Sequence, residues 1–394
     1  MKLWCKTLLA CGLAVGLLGG CASNDEEIVV NELPDIQQTI EPDVVWSDSV
    51  GDGVGDYFSR LRPEVRYGKV FVASRDGKVT AFDEKTGDEV WSVDFDDLFD
   101  DSALKQTQGA RLAGGLTAAQ NKLFVGDESG LLVALNVDDG SVVWHAQASG
   151  ELLSRAVAAE DIVAINSGKG TLDAFNIDTG AKLWSYESNM PSLTLRGTST
   201  PAYAEGGLFV GTADGKVAVV IKSNGQPAWE APVYTPKGGN EFARMADVDM
   251  TPLLLGENVY AVSYNGNLVS IEMRSGRVVW SRKYSSFHEL ASSGLELFLV
   301  DDHSRVYSVD RRSGQERWSN GDLLNRELTS PAVYRNYVVA GDFEGYLHFF
   351  DRDTGKLVGR ISVDSDGLYS QPVVVDDKIY VQGRSGKIAV ITLP

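Results

Sequence analysis

The chain has 394 residues, a formal net charge of −19 at pH 7, 43% apolar residues and three cysteines. So acidic a chain lacks the basic footprint that a nucleic-acid duplex requires, which excludes nucleic acid as a partner. Length alone suggests two or three domains, a rule that repeat folds break. Residues 1–20 read as a targeting segment: Lys2 and Lys6 open it, Leu8 to Leu18 is an apolar run, and Gly19 and Gly20 follow. The run is too short for an ordinary membrane-spanning helix.

The segment ends in Leu18-Gly19-Gly20-Cys21, which resembles the bacterial lipobox. The resemblance implies that Cys21 becomes the lipidated first residue of the mature chain; a plain secretory peptide or an uncleaved anchor is the alternative. Ala22 and Ser23 follow, without Asp, and by resemblance to enterobacterial sorting this implies the outer membrane, with the lipid-anchored body on its periplasmic face. A stable anchor takes more than one acyl chain. Cys5 and Cys11 leave with the signal, so the body keeps no thiol and no disulfide and relies on its core. Residues 21–41 comprise the Cys and a stretch rich in Asp, Glu, Asn and Gln, which reads as a flexible tether spanning roughly 25 Å if coil-like.

Residues 42–394 read as strand after strand. Lys69 to Ser74 is a short apolar strand, Arg75-Asp76-Gly77 a turn, Lys78 to Asp83 an alternating strand, and Thr86-Gly87 a second turn into a strand carrying Trp91. The phrase Asp83 to Trp91 returns at Asn136 to Trp144, Asn176 to Trp184, Glu272 to Trp280 and Asp310 to Trp318, and more loosely before Trp229. Another copy starts at Asp351 but has Gly359 where Trp is expected. The turn glycines at 87, 140, 180, 225, 276, 314 and 355 are 38 to 53 residues apart, a spacing that suits four-stranded propeller blades. Thr200-Pro201, Thr251-Pro252, Ser330-Pro331 and Gln371-Pro372 mark innermost strands.

The chain stops at Pro394 before an outer strand, whereas Val44 to Ser47 is an outer Trp strand without inner partners. Pairing the two predicts an all-β, eight-bladed propeller closed by an N-terminal strand, with no open ring edges. An open or seven-bladed ring is the alternative. Trp46, Trp91, Trp144, Trp184, Trp229, Trp280 and Trp318 hold one repeat position, where an indole can wedge against the next blade and give its N–H to that blade's turn. A ring of sugar-stacking aromatics is the other reading. Gly359 then marks the weakest inter-blade staple.

The Ala-x-Asp-x-x-Thr-Gly-x-x-x-Trp phrase resembles the tryptophan-docking repeat of quinoprotein dehydrogenases and their PQQ-like relatives. With the lipobox, the length and eight repeats, the whole mature chain resembles the PQQ-like propeller lipoproteins of the outer-membrane β-barrel assembly machinery. Met190 to Gly197, Asp247 to Pro252, Ser263 to Leu268 and Gly341 to His348 are similar to that family's loops. Independently of any family, the insertions near 95–113 and 232–250 fall on one face of such a propeller, the 187–199 connection lies there too, and insertions on one face often mark a contact surface. There Leu193 and Leu195 are candidate apolar anchors, Arg196 a forked donor, and Asp247 and Asp249 charged partners. The bland alternative is that the leucines pack the loop down and the Asp pair caps turns. The resemblance implies that these five residues bind a POTRA domain of BamA within the BAM complex, so that the chain is a scaffold aiding insertion of β-barrel proteins. Unfolded outer-membrane protein precursors are possible additional partners, through strand addition to blade edges.

No enzyme is expected. Quinoproteins hold a divalent metal and in many cases a vicinal disulfide, and no Cys-Cys pair exists here. His145, His288, His303 and His348 show no metal spacing, and no nucleophile elbow or phosphate loop appears. The acidic run Asp94, Asp96, Asp97, Asp100 and Asp101 lacks the pattern of a calcium loop and reads as a solvated loop. Cofactors and metals are therefore expected to be none. A PQQ-dependent dehydrogenase-like enzyme and an adaptor for another envelope complex are the competing readings.

Overall fold

A computed structural model describes residues 29–98 and 109–394. Cys21, the targeting segment, and Asp100 and Asp101 lie outside the described residues. The compact unit runs from Asn31 to Pro394. It contains eight four-stranded antiparallel sheets and, among the described residues, two single-turn 3-10 helices at Phe95–Asp97 and Phe242–Arg244.

Blade 1 consists of Glu64–Arg66, Lys69–Ala73, Lys78–Asp83 and Glu89–Asp94, paired in chain order from the axis outward. Blades 2 to 7 follow over 112–147, 157–187, 202–232, 253–283, 291–320 and 332–362. Blade 8 joins Val373–Val375, Lys378–Gln382 and Lys387–Thr392 to Asp43–Ser49, so the expected closure is observed. The middle strands, such as Ile162–Asn166 and Tyr337–Gly341, are almost continuously buried. Both of their faces are covered by neighbouring blades, which is why they read as apolar runs and not as alternating patterns.

The seven tryptophans act as structural staples. Each indole N–H donates to a carbonyl of the next blade's turn at 2.7 to 3.2 Å: Trp46 to Glu84, Trp91 to Val137, Trp144 to Ile177, Trp184 to Lys222, Trp229 to Met273, Trp280 to Arg311 and Trp318 to Arg352. Each ring lies on the turn glycine. At Gly87, with φ of +78°, a Cβ would approach Trp46 to 2.7 Å, so both the conformation and the contact require Gly.

Gly359 has a positive reason to lack Trp. The turn on which a tryptophan there would dock belongs to blade 8, and blade 8 has no such turn, because its outer strand comes from the other end of the chain. Phe349 stands opposite Gly359, where the staples of the other blades face Ala81, Ala134, Ala174, Val219, Ser270, Ser308 or Val390. Ile40 fills the remaining space, since a Cβ at 359 would lie 2.5 Å from its Cγ1.

Residues 31–40, which read as tether, are docked. Asn31 donates its backbone N–H to Leu324 O at 3.0 Å and accepts from Arg326 Nη1 at 3.1 Å. Thr39 N–H donates to Val358 O at 2.9 Å, and Arg360 donates to Pro34 O and to the Gln38 side chain, each at 2.9 Å. Leu33 packs beside Trp318 and Leu323. The polar composition of this stretch conceals its two apolar contacts, Leu33 and Ile40.

Candidate functional site

The connection from blade 3 to blade 4 leaves Lys182–Glu187 and re-enters at Ala202–Ala204. It shares a face with the turns between second and third strands: Ser188 N–H donates to Gly170 O, Val248 N–H to Thr212 O, and Tyr264 N–H to Asp247 O. The long 232–250 connection therefore lies beside it, as expected.

Three contacts stitch the 188–199 loop to the neighbouring 241–250 stretch. Ser192 Oγ donates to Glu241 Oε1 at 2.9 Å, Leu195 N–H to Asp247 Oδ1 at 3.0 Å, and Ser199 Oγ to Met250 O at 2.7 Å. Asn265 holds the same stretch from its other side, donating to Phe242 O and Met245 O at 3.3 Å each. Gly197 has no room for a side chain, because the Asp249 carboxylate occupies the space a Cβ would take. The loop is thus set from beneath before any partner arrives.

Leu193 and Leu195 are half-buried, while the Arg196 side chain remains 52% exposed. Arg196 reaches Glu128 Oε1 at 3.1 Å; Glu128 also pairs with Arg75, and its backbone N–H donates to Arg111 O. The closing residues of the 95–113 insertion are therefore joined to the same cluster. Burial pushes the Glu128 carboxyl up, but Arg75 and Arg196 outweigh it and hold it below the usual range. Met190 within the loop and Phe242 in the neighbouring 241–250 stretch are exposed apolar side chains.

Asp247 and Asp249 are not at the surface. Both are buried, under the loop and under Gly197. Burial, reinforced by the neighbouring Asp249 charge, pushes the Asp247 carboxyl up to about 7, and its second oxygen has no hydrogen-bond partner. Burial likewise raises Asp249 to about 6, opposed by Arg60 and assisted by Glu289. Their geometry suits holding the loop and not touching a partner directly. Sequence reasoning passed over Glu128 because Asp127-Glu128-Ser129-Gly130 looks like any other blade turn. Gly341 to His348 lies in blade 7, where Asp342 and Glu344 bind Arg326, the residue that anchors Asn31.

Among the described residues, no group of three or more His, Cys, Asp or Glu is arranged to hold a metal ion. None of the four histidines lies with the loop cluster. His348, for example, is buried against Asp342 at 2.9 Å.

The sequence model of the family described as "Outer membrane protein assembly factor BamB" matches residues 17–98 and 75–320. The protein of that name from Shewanella oneidensis is 66% identical over 395 residues, covering 100% of both chains. The one from Escherichia coli K12 is 41% identical over 390 residues, covering 98% of this chain and 99% of that protein. Among solved structures, BamB from Moraxella catarrhalis superposes with a TM-score of 0.80 at 24% identity, over 89% of this chain and 100% of that one. Quinohemoprotein alcohol dehydrogenase from Comamonas testosteroni superposes with a TM-score of 0.69 at 14% identity, over 90% of this chain and 77% of that one. At these identities the two structures speak to the fold alone.

Proposed function

The chain belongs to the family of outer membrane protein assembly factors called BamB, and on that premise we propose that it is a non-enzymatic scaffold of the β-barrel assembly machinery. Its 188–199 loop binds a POTRA domain of BamA, with Leu193 and Leu195 as apolar anchors and Arg196 as the forked donor. The observation that carries this reading is the loop's preorganisation: Asp247, Met250 and Glu241 pin it from one side while Arg196 stays exposed. A surface already ordered loses less entropy on association than a mobile one. An aliphatic anchor beside Arg, with Met190 and Phe242 nearby, has the composition of an interface centre. In this reading Asp247 and Asp249 support binding from below the surface.

The test is the double substitution Leu193→Ala with Arg196→Ala in the full chain. BamA recovered with the purified protein should fall to background while the thermal midpoint stays within a degree or two of wild type. Undiminished recovery of BamA refutes the assignment. Cys21 carries the lipid in this scheme; Cys21→Ser should abolish palmitate incorporation and release the protein from the outer-membrane fraction.

A second role has one specific observation in its favour. Blade 7 already carries a segment on its outer strand, the chain's own residues 38–40, held by one backbone bond from Thr39 to Val358 and by one from Arg360 N–H to the Gln38 side chain. The outer strands of the other blades offer comparable edges to unfolded outer-membrane proteins. Photo-crosslinkers on Val143 and Leu183, both exposed on outer strands, should capture such precursors. Capture of BamA alone refutes this role. The dehydrogenase-like reading has less support, because the open space at the propeller axis is about 100 Å³, below the roughly 300–1,000 Å³ of ordinary cofactor sites.

A further inference from the structure

The residue two positions ahead of each innermost strand faces the propeller axis in six blades: Arg62, Arg155, Thr200, Glu289, Ser330 and Gln371 line one chamber. The remaining lining includes Arg60, His288, Ser370 and the rings of Phe58 and Phe287. The open volume, about 100 Å³ of space for water centres, is several times the roughly 10–15 Å³ that one water requires on that measure.

The ionic accounts of this chamber are unequal. Arg60 donates to Asp249 O at 2.7 Å and lies 3.5 Å from Glu289. Glu289 is further held by the Thr251 N–H and hydroxyl at 2.8 and 3.0 Å. Arg155 lies 3.7 Å from Glu64, whose other oxygen accepts the Ala118 N–H. Arg62 differs. It donates to the neutral Gln371 Oε1, and among the described residues no carboxylate is within ion-pair distance. Burial, and then the like charge of Arg155, lower its pKa to about 9, with Glu289 and Glu64 opposing from beyond ion-pair distance. Beside it, Ser370 Oγ is buried and has no hydrogen-bond partner. Burial first, and then Arg60, pull the His288 imidazole down to about 3, so it adds no charge.

A guanidinium without an ion-pair partner and a hydroxyl without a hydrogen-bond partner in one chamber, beside two aromatic rings, are a receptor for a small amphipathic anion. We propose that the axial chamber binds a carboxylate bearing an apolar group. Arg62 receives the carboxylate through its planar fork, Ser370 donates a further hydrogen bond, and Phe58 and Phe287 cover the apolar part. A carboxylate matches the fork in shape, and its single charge matches the single unpaired cation. Both rings remain partly exposed, at 39% and 37%, so the ligand's apolar end gains burial without displacing core side chains. The chamber adjoins the 188–199 loop through Arg60, which bonds Asp249 O, and through Thr200, but the proposal does not rest on that loop's partner.

The test is calorimetric titration of the full-length protein with phenylacetate, acetate and 2-phenylethanol at constant ionic strength. Phenylacetate should bind with one-to-one stoichiometry, acetate at least about tenfold more weakly, and the neutral alcohol not measurably. Arg62→Gln should weaken phenylacetate at least about tenfold, since a charge-assisted hydrogen bond contributes about that factor. Ser370→Ala should weaken it a few-fold and serves as the decisive variant if Arg62→Gln does not fold. The proposal is overturned if the alcohol binds as well as phenylacetate, if phenylacetate fails to saturate at millimolar concentration, or if its affinity is the same in wild type and in every folded variant.

Discussion

Substituting Gly359→Trp separates the logic of the repeat from the logic of the assembled ring. By repeat consensus, the change restores a missing staple and should stabilise the protein. The structure leads to the opposite expectation. The Cβ would lie 2.5 Å from Ile40 Cγ1, Phe349 already fills the facing position, and blade 8 has no turn carbonyl to accept the indole N–H. Evicting Ile40 forfeits roughly 1–2 kcal/mol, since this side chain is only partly buried. Losing the bond from Thr39 N–H to Val358 O costs about 1 kcal/mol more. The net destabilisation is therefore about 2–3 kcal/mol, partly offset by whatever area the indole buries against the blade. Urea unfolding reads the energy, and limited proteolysis within 31–41 reads whether the segment has detached. A higher unfolding midpoint with the segment still protected would refute the account of Gly359.

Three further outcomes follow from the described contacts. Trp184→Phe keeps most of the packing but removes the donor to Lys222 O, so unfolding free energy should fall by about 1 kcal/mol in a denaturant titration. Asp247 has a folded pKa raised from 3.8 to about 7, so stability is highest below the ordinary carboxylate range and is lost as pH rises through about 7. That penalty is as much as about 4 kcal/mol. Asp247→Asn, which keeps an acceptor for Leu195 N–H, should raise the urea midpoint near pH 8 and flatten its decline from about pH 5. Glu128 has the opposite sign: its lowered pKa contributes stability above the ordinary range that is lost as pH falls. Glu128→Gln should therefore cost about 1–3 kcal/mol at neutral pH and little in acid, measured by the same titrations.

What the sequence determined by itself is the repeated chemistry. Each turn phrase, its glycine and its Trp are close together in the chain, and their spacing is set by the length of a four-stranded blade. Blade number and ring closure therefore followed from counting, including the orphan strand around Trp46. The candidate loop, Leu193 to Arg196, was legible because it follows a Trp phrase, lies on the face of the insertions and is similar to a family loop. The tertiary structure decided the rest, through contacts between residues that the chain keeps far apart. Ile40 meets Gly359 only once the ring is closed, and nothing in the polar stretch around Ile40 announces that contact. Asp247 and Asp249 read as surface charges until the 188–199 loop covers them, because burial is a property of the neighbouring blade and not of the residue. The unpaired Arg62 is visible only when six blades contribute one residue each to the axis. Local rules gave the blades; the places where one blade must accommodate another were settled by packing.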